Sequence, residues 1–220
     1  MQNEKKRVDR FRYGMLLADL LLLLMAGILY GWAGFVTPLE AGFGWLRSQT
    51  SFTYTLTVAC NTLAGVGAAY LSKKLPRRKI IRLAALFALG GMLLASATKS
   101  LWQLYVGYGV LFGAAAGMVY NAVLSTVVLW FPHIPTTISG FLLMSYGFSA
   151  AVFGPLSNLG IERFGWRTTF RALGVLALVI YAVCAQLVRC PTQEEAALLP
   201  QAVKAKVITA AIATAANFLK

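Results

Sequence analysis

The sequence carries little charge and very few acidic residues. Of its 220 residues, 12% are charged, with 7 Asp and Glu against 20 Lys and Arg, and 59% are hydrophobic. A soluble domain carries roughly 25% charged residues, so this composition excludes an ordinary water-soluble enzyme. The basic residues fall in a few clusters separated by long uncharged stretches, which also excludes a disordered chain and a nucleic-acid-binding domain. A polytopic membrane protein remains, with the lipid bilayer as its partner.

Residues that carry metal or redox chemistry are also scarce. The three cysteines, Cys60, Cys184 and Cys190, form no CxxC pair and are too few for a disulfide framework. The single histidine, His133, lies in a proline-flanked loop without partner ligands. An intramembrane serine protease needs a Gly-x-Ser-Gly motif, and the nearest run, 147–150, ends in alanine. We therefore expect no cofactor, no metal and no enzymatic activity, with an intramembrane enzyme as a remote alternative.

Long uncharged intervals predict an all-α protein with six membrane-spanning helices. A span needs about 20 mostly apolar residues. The stretch from Ser100 to Ile161 has no charged residue, and Pro132 and Pro135 divide it because prolines at this spacing end a helix. The predicted spans are about 13–36, 51–72, 80–98, 101–130, 136–160 and 172–188. This gives a basic tail at 1–12, a six-helix bundle at 13–189 and a linker at 190–220.

The distribution of basic residues predicts the orientation in the membrane. If the N-terminus is cytoplasmic, 15 of the 20 Lys and Arg residues lie on the cytoplasmic side, as the positive-inside rule requires. We therefore expect both termini in the cytoplasm and the bundle in the cell membrane. One loop breaks the rule, because residues 132–135 should be inside but contain no Lys or Arg.

Small residues predict where helices touch. Gly109, Gly113 and Gly117 recur at four-residue spacing on one face of the fourth span, which lets another backbone approach closely. In the fifth span, Gly154 and Pro155 predict a bend, because a proline leaves one backbone carbonyl of the helix without its donor.

Asp19 is the only acidic residue inside a predicted span. An ionisable group in a membrane helix predicts a function, and proton coupling is the sharpest form of that prediction. Asp19 also lies near the cytoplasmic end of its span, where water is expected to reach it and Arg12 is close in sequence. A structural or interfacial role therefore stands beside the coupling role.

Three stretches of the sequence resemble a known family. They are Gly27 to Gln49, with the run Gly-Ile-Leu-Tyr-Gly-Trp, then Gly107 to Pro132, and Ser139 to Phe170, which ends in Gly-Trp-Arg-Thr-Thr-Phe. Together they resemble the N-terminal half of a major facilitator superfamily transporter, and within it the oxalate/formate antiporter family. The resemblance implies that the six helices form one half, a 3+3 repeat, of a twelve-span fold that works by alternating access. The C-terminal six-helix half is then missing from this chain.

The resemblance also implies a substrate site for small mono- or dicarboxylates. Tyr30, Tyr120 and Tyr146 match the aromatic cage of the family, and Asn121 is a candidate polar residue beside it. A tyrosine offers a hydroxyl donor to a carboxylate oxygen and a ring that excludes water. The alternative role for each tyrosine is a lipid-facing or packing aromatic, and the alternative for Asn121 is an interhelical hydrogen bond.

The sequence departs from the family pattern in the loop between spans two and three. The basic cluster of the gating motif is present as Arg77, Arg78 and Lys79. Lys73 stands where the family has an aspartate, so the gating salt bridge of that motif is not expected here. The glycine and proline pattern of the fifth span suggests exchange, and symport stays open as the alternative.

The centres of the predicted spans contain no Lys or Arg. A dicarboxylate needs positive partners, and in the family these come from the C-terminal half. We therefore expect that this chain alone binds a dianion poorly. Two forms of the functional protein remain open, a fragment of a longer transporter and a native six-span half that self-associates or pairs with a separate half.

Overall fold

The computed structural model describes residues 2–200, and all regular secondary structure in this range is helical. The helices are α1 (Gln2–Ala26), a 3₁₀ segment (Gly27–Trp32), α2 (Ala33–Phe43), α3 (Arg47–Leu71), α4 (Arg77–Ser96), α5 (Leu101–Leu104), a π-helical segment (Tyr105–Phe112), α6 (Gly113–Trp130), α7 (Pro135–Cys184) and α8 (Gln193–Leu198). The all-α prediction is confirmed for the described range.

Within residues 2–200, four helical runs are long and apolar enough to cross a membrane. They are Gln2–Phe43, Arg77–Ser96, Leu101–Trp130 and Pro135–Cys184. The first run extends well beyond the predicted span at both ends. Residues 2–12, predicted as a separate tail, continue the same helix, because Val8 and Arg12 lie on its buried face together with Met15.

Helix α3 covers the second predicted span but is not among the apolar runs. It has 25 residues, so its length suffices, and its hydropathy is lowered by threonine, serine and asparagine. Some of these polar groups are satisfied within the helix, since Thr57 Oγ1 donates to Thr53 O at 2.8 Å and Thr62 Oγ1 donates to Val58 O at 3.0 Å. Such a helix can line a polar cavity without leaving every hydroxyl unpaired.

Helix α7 (Pro135–Cys184) contains the fifth predicted span and residues 172–184 of the sixth. It consists of two helices that meet at Gly165, whose backbone angles are non-helical, at φ 80° and ψ 157°. A positive φ is readily adopted by glycine, because it has no Cβ. The predicted break between the fifth and sixth spans is present, but it is one residue long, because residues 161–164 and 166–171 are helical.

The glycine stripe of α6 and the π-helical segment packs against α3, as predicted. A Cβ at Gly113 would lie 2.6 Å from Thr57 O, and a Cβ at Gly117 would overlap the backbone oxygen of Asn61. Only glycine permits this separation of the two backbones. The contact fixes the position of Asn61 relative to α6.

The predicted break between the fourth and fifth spans lies next to the residues that follow α7. Helix α6 ends at Trp130 and α7 begins at Pro135, which confirms the predicted break. Trp130 Nε1 donates to the carbonyl oxygen of Arg189 at 2.7 Å. The Arg189 guanidinium lies 4.4 Å from the Phe11 ring and pairs with Glu195 of α8. Residues 201–220 of the predicted linker lie outside the described residues.

Candidate substrate site

A cavity of about 500 Å³ lies between the 3₁₀ segment, α3, α6 and α7. It brings together all four residues predicted to bind substrate. They are Tyr30 from the 3₁₀ segment, Tyr120 and Asn121 from α6, and Tyr146 from α7. The other lining residues are Asn61, Thr62, Gly65, Val66, Leu143 and Gly147.

The three tyrosines form one connected group of rings. The Tyr146 ring centroid lies 5.2 Å from that of Tyr30, with the planes at 76°, and 5.3 Å from that of Tyr120, with the planes at 54°. These separations fall in the range that favours tilted and edge-to-face aromatic pairs. Tyr146 is 6% exposed and Tyr30 is 42% exposed. Tyr146 is therefore the fixed centre of the group and Tyr30 its open edge.

A glycine permits the contact between Tyr30 and Tyr146. A Cβ at Gly27 would overlap the Tyr146 backbone oxygen and lie 2.5 Å from Ser149 Cβ. Because Gly27 has no side chain, the start of the 3₁₀ segment can touch α7 directly. One turn further along, the Tyr30 ring then meets the Tyr146 ring. Gly27 belongs to the stretch that carries the family resemblance, but sequence alone did not show this role.

The cavity contains polar atoms without partners. The Tyr146 hydroxyl, Asn61 Oδ1 and Asn121 Oδ1 are buried and have no partner at good hydrogen-bond geometry within the described residues, although the Asn61 side chain lies beside the Tyr146 hydroxyl. A buried polar group left unpaired costs about 1–3 kcal/mol. The Tyr146 hydroxyl can donate to a carboxylate oxygen, whereas the two asparagine oxygens need a donor, so a ligand that presents both acceptors and donors would satisfy all three atoms. The cavity is therefore suited to a small polar molecule.

None of the residues that line this cavity is charged. The sequence predicts no basic residue near the centres of the spans, and none of these lining residues is Lys or Arg. The hydroxyl and amide groups orient a ligand but supply no counter-charge. A dianion held here alone would keep its full charge in a poorly solvated site, which is energetically costly.

The sequence reasoning missed Asn61 and Thr62. Both lie on α3, which faces the cavity opposite Tyr120 and Tyr146. A signal was available, because Asn61 is the only side-chain amide in the predicted second span. An amide in an otherwise uncharged membrane helix either bonds to a neighbouring helix or lines a cavity.

Asp19 differs from the expectation for its surroundings. It is 0% exposed, and neither carboxylate oxygen makes a hydrogen bond within residues 2–200. The expected access to water and to Arg12 is wrong, because Arg12 Nη2 pairs instead with Asp9 Oδ1 at 3.0 Å. Cys184 of α7 lies near Asp19. Asp19 does not line the cavity of the tyrosines.

The basic cluster predicted as a gating motif lies at the start of α4. Arg77, Arg78 and Lys79 are not among the cavity residues, and none of them forms an ion pair in the described part of the chain. Arg77 Nη1 and Arg78 Nε are buried without hydrogen-bond partners there. This arrangement fits the replacement of the motif aspartate by Lys73.

Several long apolar helices surround an uncharged aromatic cavity, an arrangement typical of an integral membrane protein. The sequence profile of the Major Facilitator Superfamily matches residues 16–218, and the chain belongs to this superfamily. Its members are transporters and not enzymes. Among the described residues, no group of three His, Cys, Asp or Glu side chains is placed to hold a metal ion.

Within the superfamily, the chain is similar to transporters, some of whose names include carboxylates. The chain is 26% identical over 182 residues to the oxalate:formate antiporter of Oxalobacter formigenes, covering 83% of this chain and 43% of the relative. It is 27% identical over 187 residues to the uncharacterized MFS-type transporter YhjX of Escherichia coli K12, covering 84% and 46%. It is 26% identical over 166 residues to monocarboxylate transporter 13 of Rattus norvegicus, covering 76% and 39%. The chain spans less than half the length of these relatives.

Proposed function

We propose that this chain is the N-terminal half of a secondary transporter that moves small carboxylates by alternating access. One observation carries the proposal: three tyrosines and two asparagines from four helical segments meet in one uncharged cavity. The similarity to an oxalate:formate antiporter and to a monocarboxylate transporter supports carboxylates as the substrate class. Oxalate and formate are therefore the first substrates to test.

The proposal includes six crossings arranged as two repeats of three. The run Gln2–Phe43, α3 and α4 form the first repeat. The run Leu101–Trp130 and the two parts of α7 on either side of Gly165 form the second. The positive-inside distribution then places the first residues and α8 in the cytoplasm. The unpaired arginine atoms at the start of α4 belong, on this arrangement, to a gate in the cytoplasmic loop.

The proposal also requires a second six-helix half. The cavity has hydroxyl and amide groups but no cation, and a bound carboxylate needs one. A basic residue from the other half would supply it at the midplane of the membrane, where such transporters bind substrate. Self-association of this chain is the alternative source of a second half. Cross-linking of the purified chain in detergent distinguishes a dimer from a monomer.

Transport in proteoliposomes tests the function. Labelled oxalate and formate are offered to vesicles that contain the chain joined to its second half, with unlabelled oxalate, formate or buffer inside. We expect uptake that unlabelled carboxylates inhibit, and little uptake with the 220-residue chain alone. Failure of the completed protein to move any carboxylate in a panel would contradict the function, whereas uptake by the chain alone would contradict the need for a second half.

A pair of tyrosine variants connects transport to the cavity. Tyr120→Phe removes one hydroxyl from the cavity and keeps the ring that packs on Tyr146. Tyr70→Phe removes a hydroxyl from an exposed position on α3 outside the cavity. We expect the first variant to raise the half-saturating concentration of a carboxylate about 10- to 100-fold, because a hydrogen bond to a charged group contributes about 1.5–3 kcal/mol, and the second to leave it unchanged.

A further inference from the structure

A second cavity lies beside the first, at the ends of α2 and α3. Its volume is about 350 Å³, and we call it the outer vestibule. It is lined by Tyr30, Trp32, Ala33, Val36, Arg47, Ser51, Tyr54 and Thr55. Arg47 gives this cavity a cation, which the tyrosine cavity does not have.

Most polar groups around the outer vestibule are hydrogen-bond donors. Trp32 is only 4% exposed, and its indole Nε1 makes no hydrogen bond within residues 2–200. An indole N–H can only donate. The Arg47 guanidinium and the Tyr54 hydroxyl add further donors on the α3 side. A cation surrounded by donors is suited to an anion with oxygen acceptors.

Glu40 orients Arg47 and partly balances its charge. Arg47 Nε lies 3.0 Å from Glu40 Oε1, and the same oxygen accepts a hydrogen bond from Thr50 Oγ1 at 2.8 Å. The Arg47 side chain is 67% exposed, and its two Nη atoms make no hydrogen bond within the described residues. The guanidinium is thus held at one edge and free at the other. Its free edge can bind a carboxylate in the bidentate geometry that arginine favours.

Tyr30 joins the outer vestibule to the tyrosine cavity, because it lines both. The polar face of α3 is also shared, with Ser51 and Thr55 in the vestibule and Thr62 in the tyrosine cavity. Hydroxyl groups therefore occur along one helix from the cation to the tyrosines. A small anion leaving Arg47 would pass the Tyr30 ring to reach Tyr146.

We propose that the outer vestibule is a separate capture site for small carboxylates, with Arg47 as its cation and Tyr30 as the residue between capture and transport. The site rests on the proposed function but is distinct from the tyrosine cavity. Arg47 concentrates the anion at the mouth, and the tyrosines then receive it. Because Arg47 is exposed, its attraction is screened by salt and acts mainly on the rate of arrival.

The test compares three variants of the completed transporter in proteoliposomes, with labelled oxalate offered on the vestibule side. Arg47→Gln removes the cation, Glu40→Gln removes the charge that balances it, and Arg163→Gln is the control. Arg163 is exposed and lines neither cavity. We expect half-saturating oxalate to rise about 3- to 10-fold in Arg47→Gln, to fall in Glu40→Gln and to stay unchanged in Arg163→Gln. The maximal rate should stay within about twofold in all three.

The side of the membrane and the salt concentration give two further readouts. Arg47→Gln should leave the half-saturating concentration unchanged when oxalate is offered from the opposite side. Raising the salt concentration from about 20 to about 300 mM should raise the half-saturating oxalate concentration of the wild type toward that of Arg47→Gln. Screening by salt removes the same attraction that the substitution removes. If the Arg47–Glu40 ion pair were purely structural, Glu40→Gln and Arg47→Gln would both raise the half-saturating concentration of oxalate.

The outcomes separate the two proposals. Wild-type transport with unchanged half-saturation in both charge variants would overturn the capture site and leave the transport function intact. A wild-type protein that neither transports nor binds any carboxylate would overturn both proposals. Opposite shifts in Arg47→Gln and Glu40→Gln, confined to the vestibule side, support the capture site.

Discussion

Arg167 closes the C-terminal end of α4 through Ser96: its Nη1 donates to the Ser96 carbonyl oxygen at 2.9 Å. Its Nη2 donates to the carbonyl oxygen of Thr98 at 3.0 Å, and Arg171 Nε contacts Ser96 Oγ at 3.3 Å. The last carbonyls of a helix have no partner within it and carry partial negative charge. One guanidinium from α7 therefore binds the last carbonyl of α4 and a carbonyl of the loop that follows it, and joins α7 to α4 just beyond the Gly165 kink.

The variant Arg167→Lys should lower the stability of the protein. A lysine keeps the charge but cannot reach both carbonyl oxygens with two fixed donors. Loss of one charge-assisted hydrogen bond costs about 1–3 kcal/mol. Thermal unfolding in detergent measures the change, with the exposed Arg163→Lys as the matched control. Equal unfolding temperatures for the two variants would contradict a capping role for Arg167.

Alanine substitutions at two glycines should have opposite effects. Gly117→Ala places a Cβ on the Asn61 backbone oxygen and pushes α3 away from α6. Gly90→Ala meets no atom within 4 Å and lies on an exposed face of α4, so it should stabilise the helix by up to about 1 kcal/mol. Size-exclusion chromatography after heating measures both. A Gly117→Ala variant as stable as the wild type would show that the helix contact is looser than the structure indicates.

The variant Tyr146→Phe should separate transport from stability. The Tyr146 hydroxyl is buried without a partner at good hydrogen-bond geometry in the described part of the chain, with the Asn61 side chain beside it, so its removal should change the free energy of unfolding by about 1 kcal/mol at most. The same hydroxyl is available to a substrate, and the half-saturating concentration of a carboxylate should rise about 10- to 100-fold, because a hydrogen bond to a charged group contributes about 1.5–3 kcal/mol. Transport and thermal unfolding are measured on the same preparation. A loss of stability equal to the loss of transport would assign the hydroxyl to packing.

Acid should release α8 from the bundle. The hydrogen bond from Arg189 lowers the pKa of Glu195 from 4.5 to about 2, and the atoms lie 2.5–2.6 Å apart. A lowered pKa means that the contact is fully present above pH 4.5 and is lost as the pH falls toward 2. A fluorophore on the exposed Cys190 should report the release between these values. The Glu195→Gln variant should show no such transition, and a transition that persists in it would identify another acid.

We propose that Asp19 couples transport to protons, which its complete burial without a hydrogen-bond partner in residues 2–200 supports. The variant Asp19→Asn keeps the shape and removes the titrating group. It should keep carboxylate exchange and lose any stimulation of uptake by a proton gradient. The exposed Glu162→Gln is the control. A rate of wild-type uptake that does not change when a pH gradient is imposed would contradict the coupling role.

The positions of the membrane helices could largely be predicted from uncharged runs and from prolines. The break between Trp130 and Pro135 is an example. Proline fixes its own φ and lacks a backbone N–H, so its effect on a helix follows from residue type alone. The kink at Gly165 could not be predicted in the same way. The charged residues around it indicate a loop, whereas the backbone stays helical on both sides and turns at one residue.

The site was predictable only in part, and the missing parts depend on tertiary contacts. Tyr120 and Tyr146 were recognised by family resemblance, and their shared cavity needed the packing of α6 on α7. Asn61 was missed because its place depends on the contact of Gly117 with α3, which joins residues far apart in sequence. The burial of Asp19 was missed because Arg12, its expected partner, pairs with Asp9 instead.

The 3₁₀ winding of Gly27–Trp32 makes the first helical run longer than its residue count implies. These six residues rise about 2.0 Å each, whereas α-helical residues rise about 1.5 Å each. Rewinding the segment to α-helix would shorten the run by about 3 Å and draw α2, with Glu40 near its end, toward the membrane centre. Tyr30 would also turn about the helix axis. Tyr30 lies within this segment and lines both cavities, so a change in the winding would alter the two cavities together.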